Sequence, residues 1–174
     1  MIAARELTRD PGSTVIHNLI TSRSVPEVIE ENGGTAVRTR VGHSFIKAEM
    51  ARTNAVFGGE HSGHFYFRDF WRADSGMLAA LHVLAALSTA PAGTTLSQLL
   101  ARYDRYIESG EINTEVADQA ATTAAVRAAF EGRPGVQIDD LDCMTVTGDR
   151  WWFNLRPSNT EPLLRLNAEA PDEA

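Results

Sequence analysis

The chain has 174 residues, 43% of them hydrophobic and 22% charged, with a formal net charge of −7. That is the composition of one medium or two small globular domains, and it excludes collagen-like, low-complexity and disordered classes. The acidic balance argues against a nucleic-acid partner, which needs a basic stripe to neutralise phosphates, but a local arginine cluster could still hold a small phosphorylated ligand.

No apolar run is long enough to span a membrane, so no membrane partner is expected. "MIAARELTRD" is not a signal peptide, because an acid and two arginines interrupt it and no apolar core follows. The single cysteine, Cys143, cannot form an internal disulfide, which suits a reducing, cytoplasmic location.

The first half alternates. "IAARELTRD" reads as a short helix ended by Pro11-Gly12, "STVIHNL" as a buried strand, and "SVPEVIEENGG" as a helix stopped by Gly33-Gly34. "TAVRTRV" is strand-like, "HSFIKAEMARTN" helical and "AVFGGE" a short strand running into glycines. This order predicts an α/β three-layer domain with a mostly parallel sheet, whose strand ends carry the ligand-binding loops. Next comes "GMLAALHVLAAL", capped by Asp74 or Ser75 and apolar nearly all round, which predicts a buried helix. "STAPAG" breaks the pattern, and the domain boundary is placed there, giving domains over 1–90 and 91–174.

The second half reads as a small α+β domain with an antiparallel sheet. "TLSQLLARYDRYI" opens with a capping box, Thr95 with Gln98. "EINTEV" is an edge strand, and "DQAATTAAVRAAFEG" an Ala-rich helix with Gly132 as its C-terminal stop. "GVQIDD", "CMTVTG", "RWWFNLRP" and "LLRLNAEA" are strands. Both ends look cut: the chain opens directly on a helix, and "APDEA" reads as the approach to a further helix.

Two stretches carry most of the chemistry. In "GGEHSGHFYF", the glycines let the backbone approach a ligand, and Glu60, Ser62 and His64 can bind several hydroxyls. His61 and His64, three apart, could instead suit zinc, but Gly63 disfavours the helix that spacing needs, and the expectation is no metal in this chain. The bland alternative is a strained loop without function. In "RPSNTEPLLRL", Arg156 offers a fork for phosphate, Ser158 and Thr160 offer hydroxyls, and Asn159 tolerates a left-handed backbone. Its bland alternative is a hairpin turn. "GHSFIK" adds His43 and Lys47 at a loop-to-helix junction, where His43 is either an anion contact or a simple cap. "DDLD", Asp139 to Asp142, reads as a solvated acidic turn.

Together these stretches resemble the α-D-phosphohexomutase family, in its phosphomannomutase/phosphoglucomutase branch. "GEHSGH" is similar to the family's sugar-binding loop, "RPSNTEP" to its C-terminal phosphate loop, and "RVGHSFIK" to a further loop that touches the sugar phosphate. The resemblance covers essentially the whole chain and implies most of the third and most of the fourth of four domains, the last helix of the fourth lacking. It implies that Glu60 and Ser62 hold the sugar's 3- and 4-hydroxyls. His64 and His43 would lie near the substrate, assisting proton transfer or phosphate contact. Arg156, Ser158, Asn159 and Thr160 would grip the non-transferred phosphate, with Arg165 a secondary candidate.

A site reading only the 3- and 4-hydroxyls and a phosphate is indifferent to carbon 2, where mannose and glucose differ, so either phosphosugar is an expected partner. The glucosamine-specific branch usually carries glycine where Asn159 stands. The chain departs from some relatives in having no lysine in "HNLITSR".

The family reaction interconverts hexose 1- and 6-phosphates through a hexose 1,6-bisphosphate, using a phosphoserine and Mg²⁺. Neither the serine loop nor the aspartate-rich metal loop is recognisable here. The expectation is therefore a C-terminal portion of such an enzyme, inactive alone and a partner to the missing N-terminal domains. The rivals are a non-catalytic phosphosugar-binding module and a metal-dependent hydrolase built on His61 and His64.

Overall fold

A computed structural model describes residues 1–158 and 160–171. The chain divides into two compact units, Met1–Arg105 and Tyr106–Ala174.

In the first unit, α1 (Ile2–Arg9), β1 (Thr14–Asn18), α2 (Ser24–Glu31), β2 (Thr35–Thr39), α3 (His43–Thr53) and β3 (Phe57–Gly59) follow the expected alternation. Strands β4 (Phe65–Phe67) and β5 (Ala73–Asp74) come next, then helices α4 (Gly76–Ser88) and α5 (Leu96–Leu100). The sheet order is β2-β1-β3-β4-β5. β1 pairs in parallel with β2 and β3, while β3–β4 and β4–β5 are antiparallel. The parallel core is thus extended by an antiparallel hairpin that the aromatic run "FYF" supplies.

The two-residue period of the strands sorts the core into two faces. Val15, Phe57 and Phe67 lie in register on one face, where Leu7 of α1, Ile29 of α2 and Ala79 of α4 pack on them. Ile16, Gly58 and Tyr66 occupy the other face, against Ile46 and Met50 of α3. Helices on both faces make this a three-layer α/β unit. Gly58 lets α3 sit close: a Cβ there would lie 2.9 Å from Ile46 Cγ2 and 3.1 Å from Met50 Sδ.

Helix α4 corrects one expectation. Ser75 caps it, accepting from the Leu78 N–H at 3.2 Å, but the helix is not buried. Met77, Leu81 and Leu84 are 73%, 51% and 61% exposed, and only Ala79 and Ala86 are buried. An apolar sequence on every side shows what a helix can bury, not how many neighbours it has. No helix among the described residues is long and apolar enough to cross a membrane.

The division after Arg105 lies beyond the expected Pro91–Gly93 break. The reason is local: Arg105 forks onto Glu31 (2.7 and 2.6 Å) and reaches Glu27 (3.2 Å), which fixes this segment to α2 of the first unit. The Thr95–Gln98 capping box forms, but α5 runs only five residues before tightening into a 3₁₀ turn at Ala101–Tyr103.

The second unit has strands β6 (Ile107–Glu108), β7 (Ile112–Glu115), β8 (Gln137–Asp139), β9 (Met144–Thr147), β10 (Trp152–Pro157) and β11 (Leu163–Ala170), with one helix, α6 (Gln119–Phe130). All its pairings are antiparallel, in the order β6-β11-β10-β9-β8, with β7 also on β11. Met144, Val146, Phe153, Leu155 and Leu164 form its core, and Val126 and Phe130 of α6 pack against them. The acidic turn before β9 is solvated: Asp140 is exposed and pairs with Arg127.

Candidate functional site

The first polar cluster forms at the carboxyl end of β3. Glu60 follows the strand directly, and a tight turn returns the chain into β4. The Glu60 N–H donates to the His64 carbonyl and the Gly63 N–H to the Glu60 carbonyl, both at 3.0 Å. Gly63 has φ +82°, a left-handed conformation that favours glycine. The turn brings Ser62 Oγ within 2.9 Å of His64 Nδ1.

Glu60 is only 7% exposed, yet its carboxylate is held rather than stranded. Tyr66 donates its hydroxyl hydrogen to Oε1 at 2.6 Å, and the Gly42 N–H donates to Oε2 at 3.3 Å. Burial, and then the Glu60 bond and charge, raise the Tyr66 phenol far above its ordinary value, so it remains a donor. His43, the first residue of α3, brings Nδ1 against the Tyr66 oxygen and to 3.9 Å from Glu60. Its ring meets His64 edge-on with centroids 4.4 Å apart.

An ionised carboxylate has about four acceptor positions. Tyr66 and Gly42 take two, leaving two for incoming donors beside the two imidazoles. Of the residues expected here, Glu60, His43 and His64 converge, and Ser62 joins through His64. His61 and Lys47 are exposed, and His61 is not among the clustered ligand groups. Tyr66 was missed by sequence reasoning. Its signal was the alternation in Phe65-Tyr66-Phe67, which turns Tyr66 to the face opposite its neighbours once the run is read as a strand.

Beside Glu60 opens a cavity of about 350 Å³, lined largely by apolar side chains such as Val15, Phe57 and Phe65 together with His17 and Thr21. His17 stands at the carboxyl end of β1, in register with Gly59. Burial lowers its pKa to about 4, so the imidazole is neutral.

The second unit holds its own polar cluster. Arg156 and Arg165 are direct cross-strand partners on β10 and β11. Glu111 bridges these like charges, accepting from Arg156 Nη2 at 3.2 Å and from Arg165 Nη1 at 3.4 Å. Neither arginine's Nε has a hydrogen-bond partner among the described residues. Beyond Pro157 the chain turns. The Ser158 N–H donates to the Leu163 carbonyl at 2.9 Å, and the Thr160 N–H reaches Ser158 Oγ at 3.4 Å. Asn159 lies outside the described residues.

Gln119, the first residue of α6, secures this loop from beneath. Its amide donates to the carbonyls of Ser158 (3.3 Å), Glu161 (3.1 Å) and Leu163 (2.9 Å). Nothing in the local sequence announces that role, since the loop lies about 40 positions away. The cluster offers two guanidinium groups and two hydroxyls on a pinned loop, a combination suited to an anion.

Residues 1–106 match the model of phosphoglucomutase/phosphomannomutase α/β/α domain III, and residues 111–174 match that of the phosphoglucomutase/phosphomannomutase C-terminal domain. A phosphomannomutase of Methanocaldococcus jannaschii is 40% identical over 99% of this chain and 37% of the relative. A Xanthomonas campestris protein described as phosphohexose mutases is 42% identical over 100% of the chain and 38% of the relative. A crystal structure of a phosphoglucomutase/phosphomannomutase family protein from Burkholderia thailandensis superposes with a TM-score of 0.82 at 27% identity, over 99% of this chain and 36% of that one. The chain spans little more than a third of the length of the relatives it matches. Over that span it belongs to the phosphoglucomutase/phosphomannomutase family, carrying its domain III and its C-terminal domain.

Proposed function

We propose that this chain supplies the sugar-reading and phosphate-gripping parts of a phosphohexomutase that interconverts hexose 1- and 6-phosphates by way of a hexose 1,6-bisphosphate. The observation that carries this reading is the half-satisfied carboxylate of Glu60. Its two remaining acceptor positions suit two adjacent hydroxyls of a hexose, the 3- and 4-hydroxyls, with Ser62 adding a further contact. The relative from M. jannaschii is a phosphomannomutase, which favours mannose and glucose phosphates as the substrate class.

The residues divide the work by their chemistry. Glu60 accepts from hydroxyls and fixes the ring's orientation. His43 and His64 stand where they could pass a proton to or from a hydroxyl, His43 being relayed to Glu60 through Tyr66. Arg156 and Arg165 neutralise a phosphate, and Ser158 and Thr160 donate to it, with Asn159 completing the loop.

Mg²⁺, which the family implies, supplies charge neutralisation during phosphoryl transfer when bound. The ligating side chains brought together here, His43, Glu60 and His64, offer two imidazoles and one carboxylate. A hard cation that takes oxygen ligands does not fit that set, so these residues are not assigned to Mg²⁺. The chain alone is accordingly proposed to bind without turnover, its transfer chemistry residing in further domains.

Titration with glucose 6-phosphate and mannose 6-phosphate, followed by saturation-transfer NMR, tests the reading. Arg156→Ala should cost on the order of 1.5–3 kcal/mol of binding, the usual loss for a charge-assisted contact. Equal binding by the variant would overturn the phosphate assignment. Metal-dependent turnover by the isolated chain in a coupled mutase assay would overturn the division of labour.

A further inference from the structure

The cluster that reads as a hydroxyl site is also a set of metal ligands. One atom each of His43, Glu60 and His64 lies within 4.8 Å of the other two. The three come from separate places, the start of α3, the end of β3 and the end of the β3–β4 turn, so the fold itself assembles them. This set differs from the His61–His64 pair suggested by sequence spacing, because His61 lies outside the cluster.

We propose that His43, Glu60 and His64 bind a divalent transition-metal ion of the Zn²⁺ and Co²⁺ class, in competition with the sugar hydroxyls. Two imidazoles with one carboxylate is a donor set these ions accept, with positions left open for water.

The hydrogen bonds around the three side chains prepare them for that role. Tyr66 has a single hydroxyl hydrogen, committed to Glu60 Oε1, so the contact between its oxygen and His43 Nδ1 requires the imidazole to be the donor there. In the neutral ring that places the proton on Nδ1 and the lone pair on Nε2. Ser62 Oγ, 2.9 Å from His64 Nδ1, can do the same for His64. The Gly42 N–H holds Glu60 Oε2. Each ligand thus has a second partner that orients it, as metal-binding side chains almost always have. Zn–N bonds of roughly 2.0–2.1 Å set ligand atoms about 3.3 Å apart in a tetrahedron, so the cluster must contract on binding. His43, whose side chain is 60% exposed, is free to make that movement.

The metal site stands on these contacts alone, and only the competition rests on the proposed sugar-reading role of Glu60. The test uses the untagged 174-residue chain titrated with CoCl₂ and followed by visible absorption. The expected result is one Co²⁺ per chain, with an intense four- or five-coordinate band that Zn²⁺ abolishes. His43→Ala and His64→Ala should each remove the band while the far-ultraviolet circular dichroism is unchanged. Tyr66→Phe should weaken Co²⁺ binding by about 10–100-fold, the usual effect of losing an orienting partner. His61→Ala and Cys143→Ser should leave the spectrum as it is. Absence of the band, its survival in His43→Ala and His64→Ala, or its loss in His61→Ala would overturn the site. If hexose 6-phosphate binds but no cobalt band forms, the metal proposal falls and the sugar reading stands. If the band forms but hexose 6-phosphate does not displace it, the metal site stands and the competition falls.

Discussion

Tyr66 donates to Glu60 at 2.6 Å, and that one bond joins the end of a parallel strand to the antiparallel hairpin added beside it. Tyr66 is 1% exposed and Glu60 7%, so the bond is made inside the fold. Tyr66→Phe keeps the ring's packing and removes the donor. A hydrogen bond to a charged group contributes about 1.5–3 kcal/mol, and Glu60 would be left with a missing partner in a buried position. Urea unfolding should show a loss in that range at neutral pH. An unchanged midpoint would mean that water replaces the phenol without cost.

His17 gives the first unit a pH dependence whose sign follows from its burial. Its ordinary pKa of 6.5 falls to about 4 in the fold, chiefly through desolvation. Between those values the unfolded chain binds a proton that the folded chain refuses, so stability rises with pH there. Above 6.5 both states are neutral and the contribution is flat. As pH falls from 6.5 to 4, roughly 3 kcal/mol is lost. Unfolding measured across that window should show this slope, and His17→Asn should flatten it. A wild-type slope identical to that of the variant would assign the dependence to other groups.

The outline of the fold was legible because its elements declare themselves locally. Each of the first six reads as a short apolar pattern ended by glycine, proline or asparagine, and the parallel β1–β2–β3 core follows from their alternation. The hairpin β4–β5 was not legible, because "FYF" is too short to distinguish a strand from a loop. Tyr66 was lost with it. The same limit explains Gln119 and Glu111, whose roles depend on partners about 40 to 54 positions away. Glu60, His43, His64 and Arg156 could be singled out as candidates because glycines, histidines and arginine in short loops stand out in the sequence itself. The exposure of α4 could not be read, since composition gives a helix's capacity for burial and not its neighbours.

Helix α3 packs close over Gly58, and the start of α3 carries His43. Gly58→Ala places a methyl group 2.9 Å from Ile46 Cγ2 and 3.1 Å from Met50 Sδ, and both side chains are fully buried. Overpacking of this kind costs about 1–3 kcal/mol. The variant should also shift the His43 and His64 imidazole resonances, because lifting α3 from the strand moves one ring of the 4.4 Å pair and not the other. A destabilised variant with unmoved resonances would show that the strain is absorbed within α3 before it reaches its first turn.

Glu111 occupies the place between Arg156 and Arg165 that an incoming phosphate would need. Its carboxylate bonds to both guanidinium groups at 3.2 and 3.4 Å, long contacts for charged partners, and it is partly open to solvent. Two roles predict opposite outcomes. If Glu111 mainly positions the arginines, removing its charge should weaken anion binding. If it competes with the anion, Glu111→Gln should strengthen it. The competing role is favoured, because the β-ladder already fixes the two arginines opposite each other and the bridge is not needed to align them. Partly exposed ion pairs contribute up to about 1 kcal/mol, so inorganic phosphate should bind roughly fivefold more tightly to Glu111→Gln than to the wild type at low salt. The advantage should shrink as ionic strength rises, because the repulsion that Glu111 exerts on the anion is itself screened. Phosphate titrations by calorimetry at two salt concentrations separate the two roles, and weaker binding by the variant at both would establish Glu111 as a positioning residue.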